Sequence, residues 1–379
     1  MPHITDERSA ASGEADRGRQ RRWRLWALMS VLALGVAPWV AVLATGAAGL
    51  PLTAPAPASV TVGGTGVVRV LASTDQVRAG PGFPEINGVA DGLDSLWLTG
   101  GTAGQNHVLY AVNPATSHTD GGAVLPPRLV MNPDDIAVGS GAVWVAVGTS
   151  LYRIEPLSAV TGAVVTRAFA TLPHGGLIGD VAIDAGSVWI TDTTRGRVYR
   201  FAASTGRLEA VVMVGSTAGA LTVGDGGIWV ADSDAHTVAR ISVTHNRVNS
   251  VLTVPGVPSH IAASKGALWV TDGAAGTVTV LGGPPGRVTT VRVGGQPTGV
   301  AAVGETVWVA NTADGTLSRI DARRHMVVAT VRVGVRPYAL AADGQGVWVA
   351  VLGRPVMHVP SESPLKGPLA WLERLCGVG

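Results

Sequence analysis

The stretch QPTGVAAVGETVWVANTADGTLSRIDARRHMVVATVRVG, residues 296–334, decides the fold. It predicts four short strands, at residues 298–302, 306–310, 316–321 and 326–333, separated by turns rich in Gly, Asp and Asn. No part of it has the apolar period of a helix. The second strand, VWVA, is apolar at every position, so protein must cover both of its faces. A four-stranded antiparallel sheet that is covered on both faces is typical of one propeller blade.

The Trp of this second strand recurs along the chain, at Trp97, Trp144, Trp189, Trp229, Trp269, Trp308 and Trp348. Successive Trp residues are 39 to 47 positions apart, which is the length of one blade. We therefore predict an all-β fold, a seven-bladed β-propeller of four-stranded blades, over residues 64–360. The last repeat lacks an outer strand, and residues 64–73 resemble the fourth strand of other repeats. An N-terminal strand is thus expected to pair with the last blade and close the ring.

The N-terminal segment, residues 1–24, carries six Arg against four acidic residues. The rest of the chain has 22 basic and 22 acidic residues, because 6 of 28 and 4 of 26 lie in that segment. A nucleic-acid partner would require a basic excess on the folded body, so nucleic acid is excluded as a partner.

Residues 25–50 contain no charged side chain, and this length suffices to cross a bilayer. The preceding Arg cluster predicts one N-terminal transmembrane helix, with a cytoplasmic N-terminus and an extracytoplasmic propeller. The alternative is a signal sequence that is cleaved after small residues, which would yield a secreted protein. Residues 51–63 are predicted to form a Pro/Ala-rich linker, and residues 361–379 a C-terminal tail.

Known catalytic and metal-binding motifs are absent from the sequence. It has no HExxH, CxxC, Walker or GxSxG pattern, and its single cysteine, Cys376, excludes an intramolecular disulfide. No residue is therefore assigned as a catalytic nucleophile or a metal ligand, and no cofactor is expected.

An Asp or Asn follows the repeated Trp by three positions in four repeats, as Asp192, Asp232, Asp272 and Asn311. Such a residue at the end of a strand accepts hydrogen bonds from nearby backbone N–H groups in an Asx-type turn. Its recurrence indicates a structural corner, since a functional group is not expected to repeat around a ring.

A functional site is expected where the repeats differ. The starts of the first strands vary in chemistry and lie together around the mouth of the central channel. His260 and the acids among them are the only acid–base constellation in the chain, and the alternative is a hydrated rim whose acids cap loops. The candidate ligand-binding residues are Asn87, Asp134, Asp135, Asp180, His260, Thr298 and Tyr338.

The repeat resembles that of YVTN or YncE-like propellers, with P-x-G-V-A, then V-W-V-A-N/D, S-R-I-D and V-x-A-T-V-x-V-G. This resemblance implies a seven-bladed extracytoplasmic propeller that binds ligands or partners on one face. Streptogramin lyases and NHL-type sensor propellers are similar in appearance. The resemblance to the lyases implies a His base and a magnesium ion, but their repeats read WFTE where this chain reads WVTD or WVAN.

Two functions remain open. The first is a membrane-anchored, monomeric sensor or scaffold whose channel mouth binds a small molecule, an envelope component or a protein. The alternative is a metal-dependent lyase or hydrolase of the streptogramin lyase-like type. In it Asp134, Asp135 and Asp180 would hold Mg²⁺ or Ca²⁺ through oxygen ligands, and His260 would act as the base.

Overall fold

The fold was analysed in a computed structural model, which describes residues 60–61, 67–70, 86–100, 107–114, 119–125, 135–156, 168–264, 266–282, 288–351 and 357–360. The elements in these residues are strands and one short 3-10 helix, Pro173–Gly175. Residues 1–24, 25–50 and 361–379, and most of residues 51–63, lie outside them. Within the described part, no helix is long and apolar enough to cross a membrane.

The strands follow in chain order. The N-terminal ones are β1 (Val60–Thr61) and β2 (Val67–Val70). Two sheets come next, with strands β3 (Ile86–Gly92), β4 (Ser95–Gly100), β5 (His107–Val112), β6 (Thr119–Leu125), β7 (Asp135–Gly139), β8 (Ala142–Val147), β9 (Ser150–Ile154) and β10 (Ala170–Thr171). The next two sheets comprise β11 (Ile178–Asp184), β12 (Ser187–Asp192), β13 (Arg197–Ala202), β14 (Leu208–Met213), β15 (Leu221–Gly224), β16 (Gly227–Asp232), β17 (Thr237–Ser242) and β18 (Arg247–Thr253).

The C-terminal strands are β19 (Ile261–Ser264), β20 (Ala267–Asp272), β21 (Thr277–Gly282), β22 (Val288–Arg292), β23 (Pro297–Val303), β24 (Thr306–Asn311), β25 (Thr316–Asp321), β26 (Met326–Arg332), β27 (Pro337–Ala342), β28 (Gly346–Val351) and β29 (Met357–Pro360).

Six sheets contain four antiparallel strands each, in sequence order: β3–β6, β7–β10, β11–β14, β15–β18, β19–β22 and β23–β26. We refer to them as the first to sixth blades. The remaining sheet, the closing sheet, has five strands in the order β1-β2-β29-β28-β27. The expectation of seven four-stranded blades therefore needs correction: the described residues form six such blades, because the last sheet combines three C-terminal strands with two N-terminal ones.

The N-terminal strand closes the ring as predicted. In the closing sheet, β2 pairs antiparallel with β29, with Arg69 opposite His358 and Val70 opposite Met357. The first strands of the sheets contact one another in chain order, from β3 through β7, β11, β15, β19 and β23 to β27, and β27 contacts β3. The additional strand β1 pairs with the outer edge of β2.

The core lies between neighbouring sheets, at the second strands. Every residue of β8, β12, β16 and β28 is buried, which confirms that protein covers both faces of these strands. The indole of Trp144 is fixed from two sides: its Nε1 donates to Gly139 O at 3.0 Å, and the Arg153 guanidinium lies 5.8 Å from the ring centroid. Cation–π contacts of this kind recur at Trp189, Trp229 and Trp308. The outer strands β18 and β26 alternate between exposed and half-buried residues.

Candidate functional site

One position at the start of each first strand distinguishes the sheets. In the second blade, for example, Val145 follows the repeated Trp and pairs with Ile136 on the first strand. The position in question is the residue just before that partner, which is Asp135 in this blade. We call it the ring position, because the first strands that carry it surround the channel. Its seven residues are Gly88, Asp135, Asp180, Ala220, His260, Gly299 and Ala339.

Titratable side chains occupy three ring positions, in the second, third and fifth blades, and the other four hold Gly or Ala. Asp135 and Asp180 are on adjacent first strands, β7 and β11, and Ala220 separates Asp180 from His260. The site is therefore asymmetric: polar groups line one arc of the ring, and small residues line the opposite arc.

The two carboxyl groups form a hydrogen-bonded pair. The backbone N–H of Val181 donates to Asp135 Oδ2 at 2.5 Å and to Asp180 Oδ1 at 2.7 Å, which brings the two side chains together. Asp180 Oδ2 accepts a further hydrogen bond, at 2.6 Å, from the N–H of Leu221 in the fourth blade. Each carboxyl group thus reaches an N–H of the next blade and links two neighbouring sheets.

Desolvation raises the pKa of both carboxyl groups above the ordinary value for Asp. The negative charge of Asp135 raises the pKa of Asp180 further, and so does the hydrogen bond that Asp180 donates to Asp135. The same hydrogen bond lowers the pKa of Asp135. Of the two coupled carboxyl groups, Asp180 therefore has the more strongly raised pKa, and its protonated form is the more favoured.

His260 completes the constellation on β19's side of the channel. Desolvation lowers the pKa of its imidazole, and the charge of Asp135 partly offsets this effect. The side chain is nevertheless exposed to solvent. A side chain at the mouth of a ring of strands meets both conditions, since solvent reaches it while protein surrounds it. The lowered pKa favours the neutral imidazole at pH 7.

The other predicted site residues that the structure describes, Thr298 and Tyr338, have different neighbours. The hydroxyl of Thr298 is engaged by the neighbouring chain, 2.7 Å from Thr312 Oγ1 and 3.2 Å from Tyr338 O. Tyr338 packs against the apolar cluster between the closing sheet and the first blade. Asn87 lies in β3, but its side chain is outside the described part of the structure, as is the whole of Asp134.

The recurring acids are structural corners, as predicted. Asp272 is buried, with its Oδ1 accepting from the N–H groups of Ala274 and Ala275, both at 3.0 Å. Asp232 accepts in the same way from two residues of its own turn. The acids also bind the strand connection that precedes their blade, as Val257 N–H donates to Asp272 Oδ2 at 3.1 Å.

Two buried hydroxyl groups near the ring were not foreseen from the sequence. Thr191 is fully buried, and its Oγ1 has no hydrogen-bond partner in the described part of the protein. It lies beside Gly179, the neighbour of Asp180, where a Cβ would be 3.1 Å from the hydroxyl oxygen. The hydroxyl group of Thr99 is also buried and has no hydrogen-bond partner among the described residues. In the strand register, Thr99 lies opposite the ring residue Gly88. In the sequence, each of these two Thr residues follows the repeated Trp by two positions, and this spacing could have revealed them.

The described residues contain no group of three or more His, Cys, Asp or Glu side chains that could hold a metal ion. The pair formed by Asp135 and Asp180 offers two carboxyl groups, and both already accept backbone N–H groups. The arrangement can hold a proton, accept hydrogen bonds and attract a positive charge.

No family model matches the chain, and no curated protein matches it. Solved structures do share its fold. A streptogramin B lyase is 15% identical with a TM-score of 0.59, over 77% of this chain and 96% of the lyase. The WD40 propeller domain of Doa1 is 11% identical with a TM-score of 0.61, over 78% and 97%. Hydrazine synthase from Kuenenia stuttgartiensis is 11% identical with a TM-score of 0.64, over 76% and 98%. At these identities the likeness shows a β-propeller and nothing about activity.

Proposed function

We propose that this protein is a ligand-binding propeller, a sensor or scaffold, whose ligand occupies the ring site formed by Asp135, Asp180 and His260. The observation that carries the proposal is the asymmetry of the ring position. Three titratable groups that influence one another electrostatically lie on one arc, whereas Gly and Ala on the other arc leave space for a ligand.

A purely structural role accounts poorly for this asymmetry. If the carboxyl groups served only to link neighbouring blades, the ring would need an acceptor at each junction. The ring residues Ala220, Gly299 and Ala339 have no polar side-chain atom, and the first strands still contact one another there. Two adjacent acids in a desolvated site also disfavour each other's ionisation, which a simple link would not require.

The architecture and location of the proposed sensor extend the same idea. We take the closing sheet as the seventh blade and the repeat as one of the YVTN or YncE-like type. We place the propeller outside the cytoplasm, tethered by residues 25–50 through the linker at residues 51–63. The uncharged, Arg-flanked character of residues 25–50 supports this placement. A small molecule, an envelope component or a protein loop could then reach the channel mouth.

A metal-dependent lyase or hydrolase remains a less supported alternative. Its Mg²⁺ or Ca²⁺ would need Asp134 beside Asp135 and Asp180, with His260 as the base. The fold shared with a streptogramin B lyase is compatible with that chemistry but does not demonstrate it.

The proposal can be tested by NMR on the full-length protein with 15N-labelled histidine. The His260 signals are identified by their loss in His260→Gln. Polar fragments of different charge are then screened for shifts of these signals. A ligand of the ring site should shift them, and Asp135→Asn should weaken its affinity roughly tenfold or more.

The matched control is Asp225→Asn, which changes an exposed acid at the turn between β15 and β16, at the opposite end of the first strand. Asp225 has a φ of 49°, which Asn also adopts readily. Fragments that bind Asp135→Asn as well as they bind the wild-type protein, or that leave the His260 signals unmoved, would contradict the proposal.

A further inference from the structure

The charge of the ring site indicates which ligands it can accept. The titratable groups that the described first strands bring to it are Asp135 on β7, Asp180 on β11, and His260, which precedes Ile261 at the start of β19. Two acids face one imidazole whose neutral form burial favours, so the site offers negative rather than positive charge to a ligand. An anionic ligand would have to approach Asp135 against electrostatic repulsion.

Asp135 also has an acceptor position to spare. A carboxylate offers about four acceptor positions. Asp135 uses three of them, for the N–H of Val181, the N–H of Ile136 and the Asp180 hydroxyl. The remaining position belongs to a charged oxygen, which binds a cationic donor more strongly than a neutral one.

The buried hydroxyl groups of Thr99 and Thr191 are an independent sign of a missing partner. A buried polar group without a hydrogen bond costs about 1 to 3 kcal/mol. Thr271 occupies the equivalent place in the fifth blade, and its Oγ1 is fully engaged, 2.8 Å from Ser259 Oγ and 3.1 Å from Thr298 O. Thr191 lacks such neighbours among the described residues, so this part of the protein leaves its hydroxyl group unsatisfied beside the residue that precedes Asp180.

We propose that the ligand of the ring site is a small organic cation with an ammonium or guanidinium group, and that its binding expels the proton shared by Asp180 and Asp135 into solvent. This inference rests on the proposed function and specifies its ligand chemistry. A cation beside the pair favours the ionised form of Asp180, so that two carboxylates face one cationic group. An organic cation fits better than a metal ion, because N–H donors can bind the carboxylates and hydroxyl groups without displacing the backbone N–H of Val181 or Leu221.

The test measures heat and proton release together. The full-length protein is titrated by calorimetry at pH 7 with n-butylammonium, n-butanol, butyrate or magnesium chloride. Each titration is run in cacodylate and in MOPS, which contain no primary amine and whose ionisation enthalpies differ, so that the difference in heat gives the protons released. We expect n-butylammonium to bind with release of up to about one proton per site, and n-butanol and butyrate to bind at least about tenfold more weakly.

Two Asn variants separate the charge from the proton. Asp180→Asn retains an acceptor for Leu221 N–H and a donor to Asp135, but it has no proton to release. It should still bind n-butylammonium, with proton release reduced to near zero. Asp135→Asn removes the charge and should weaken binding roughly tenfold or more, while Asp225→Asn should behave as the wild-type protein.

The outcomes distinguish this inference from the proposed function. Binding of n-butylammonium without proton release, or equal release by Asp180→Asn, overturns the inference and leaves the ring site intact as a binding site. Tighter binding of butyrate or n-butanol does the same. Binding of magnesium alone overturns it in favour of the metal-dependent alternative. If none of the four probes binds, the inference fails, and the histidine NMR screen decides whether the proposed function fails with it.

Discussion

Gly256→Ala tests how the recurring acids hold the blades. Gly256 lies in the connection that leads into the fifth blade, and a Cβ there would be 1.6 Å from Asp272 Oδ2 and 2.7 Å from Asp272 Cγ. Gly256 does not have the left-handed φ that marks many other glycines of the chain. An alanine therefore meets no backbone strain, and the clash with the buried carboxylate is its only obstacle.

The magnitude follows from what the carboxylate must give up. If it moves away from the new methyl group, it loses at least the hydrogen bond from Val257 N–H at 3.1 Å. A hydrogen bond to a charged group contributes about 1.5–3 kcal/mol, and overpacking costs roughly 1–3 kcal/mol. We expect Gly256→Ala to lower the free energy of unfolding by about 2.5–6 kcal/mol, a large part of the stability of a typical domain.

Urea denaturation of the full-length protein, followed by tryptophan fluorescence, measures this loss. The matched control is Gly273→Ala, in the turn after Asp272, where a Cβ would make only an ordinary contact, 3.5 Å from Pro297 O. Gly273→Ala should change stability by less than about 1 kcal/mol. In an Asp272→Ala background the clash is gone, so Gly256→Ala should become nearly neutral. Equal destabilisation in both backgrounds would refute the reasoning.

Three further predictions concern the ring site, the blade contacts and the closure. Because the pKa of Asp180 is raised above its unfolded value near 3.8, the wild-type protein loses stability as pH rises from about 4 through the folded pKa. Asp180→Asn removes this loss, so thermal denaturation at several pH values should show its advantage growing with pH. The Arg200 guanidinium lies 5.0 Å from the ring centroid of Trp189 and donates to Asn246 Oδ1 in the next blade at 2.8 Å. Arg200→Ala should therefore lower the free energy of unfolding by about 2 kcal/mol. An unchanged urea denaturation curve would contradict a stabilising role for both contacts. Deletion of residues 60–70 removes β1 and β2 and leaves β29 unpaired on one edge. We expect a lower melting temperature, and aggregation that light scattering detects. A monomer with an unchanged melting temperature would show that the fold does not need this closure.

The repeat made most of the fold predictable. In residues 296–334 the predicted strand at 316–321 coincides with β25, and the others agree with β23, β24 and β26 to within one residue. Agreement of this quality arises because the buried Trp and the turn that follows its strand recur from blade to blade. The fifth strand of the closing sheet was not predicted, since β1 is only two residues long and carries no periodic signal.

The site was predictable in chemistry but not in register. Asp135, Asp180 and His260 emerged from the sequence because they vary where the strands do not. Thr298 and Tyr338 were grouped with them, yet the ring residues of their sheets are Gly299 and Ala339. The first strands are not equivalent, because the pairing register shifts at the start of β3, β11, β23 and β27 but not in β7, β15 or β19. A bulge inserts one residue without changing the apolar pattern, so alignment on small residues cannot place side chains around the channel.

Recurrence also separates the two kinds of acid in this protein. Asp272 and its equivalents accept N–H groups from their own turn and are fixed by glycines that leave no room for another side chain. Asp135 and Asp180 do not recur in every blade, reach across to the next blade and are electrostatically coupled to each other. Replacement of a recurring acid should therefore lower stability without weakening ligand binding, whereas replacement of Asp135 or Asp180 should change the pH dependence of stability and the binding of a ligand. The different responses of Asp272→Ala and Asp180→Asn in the same denaturation and calorimetry experiments would distinguish the scaffold of the propeller from its site.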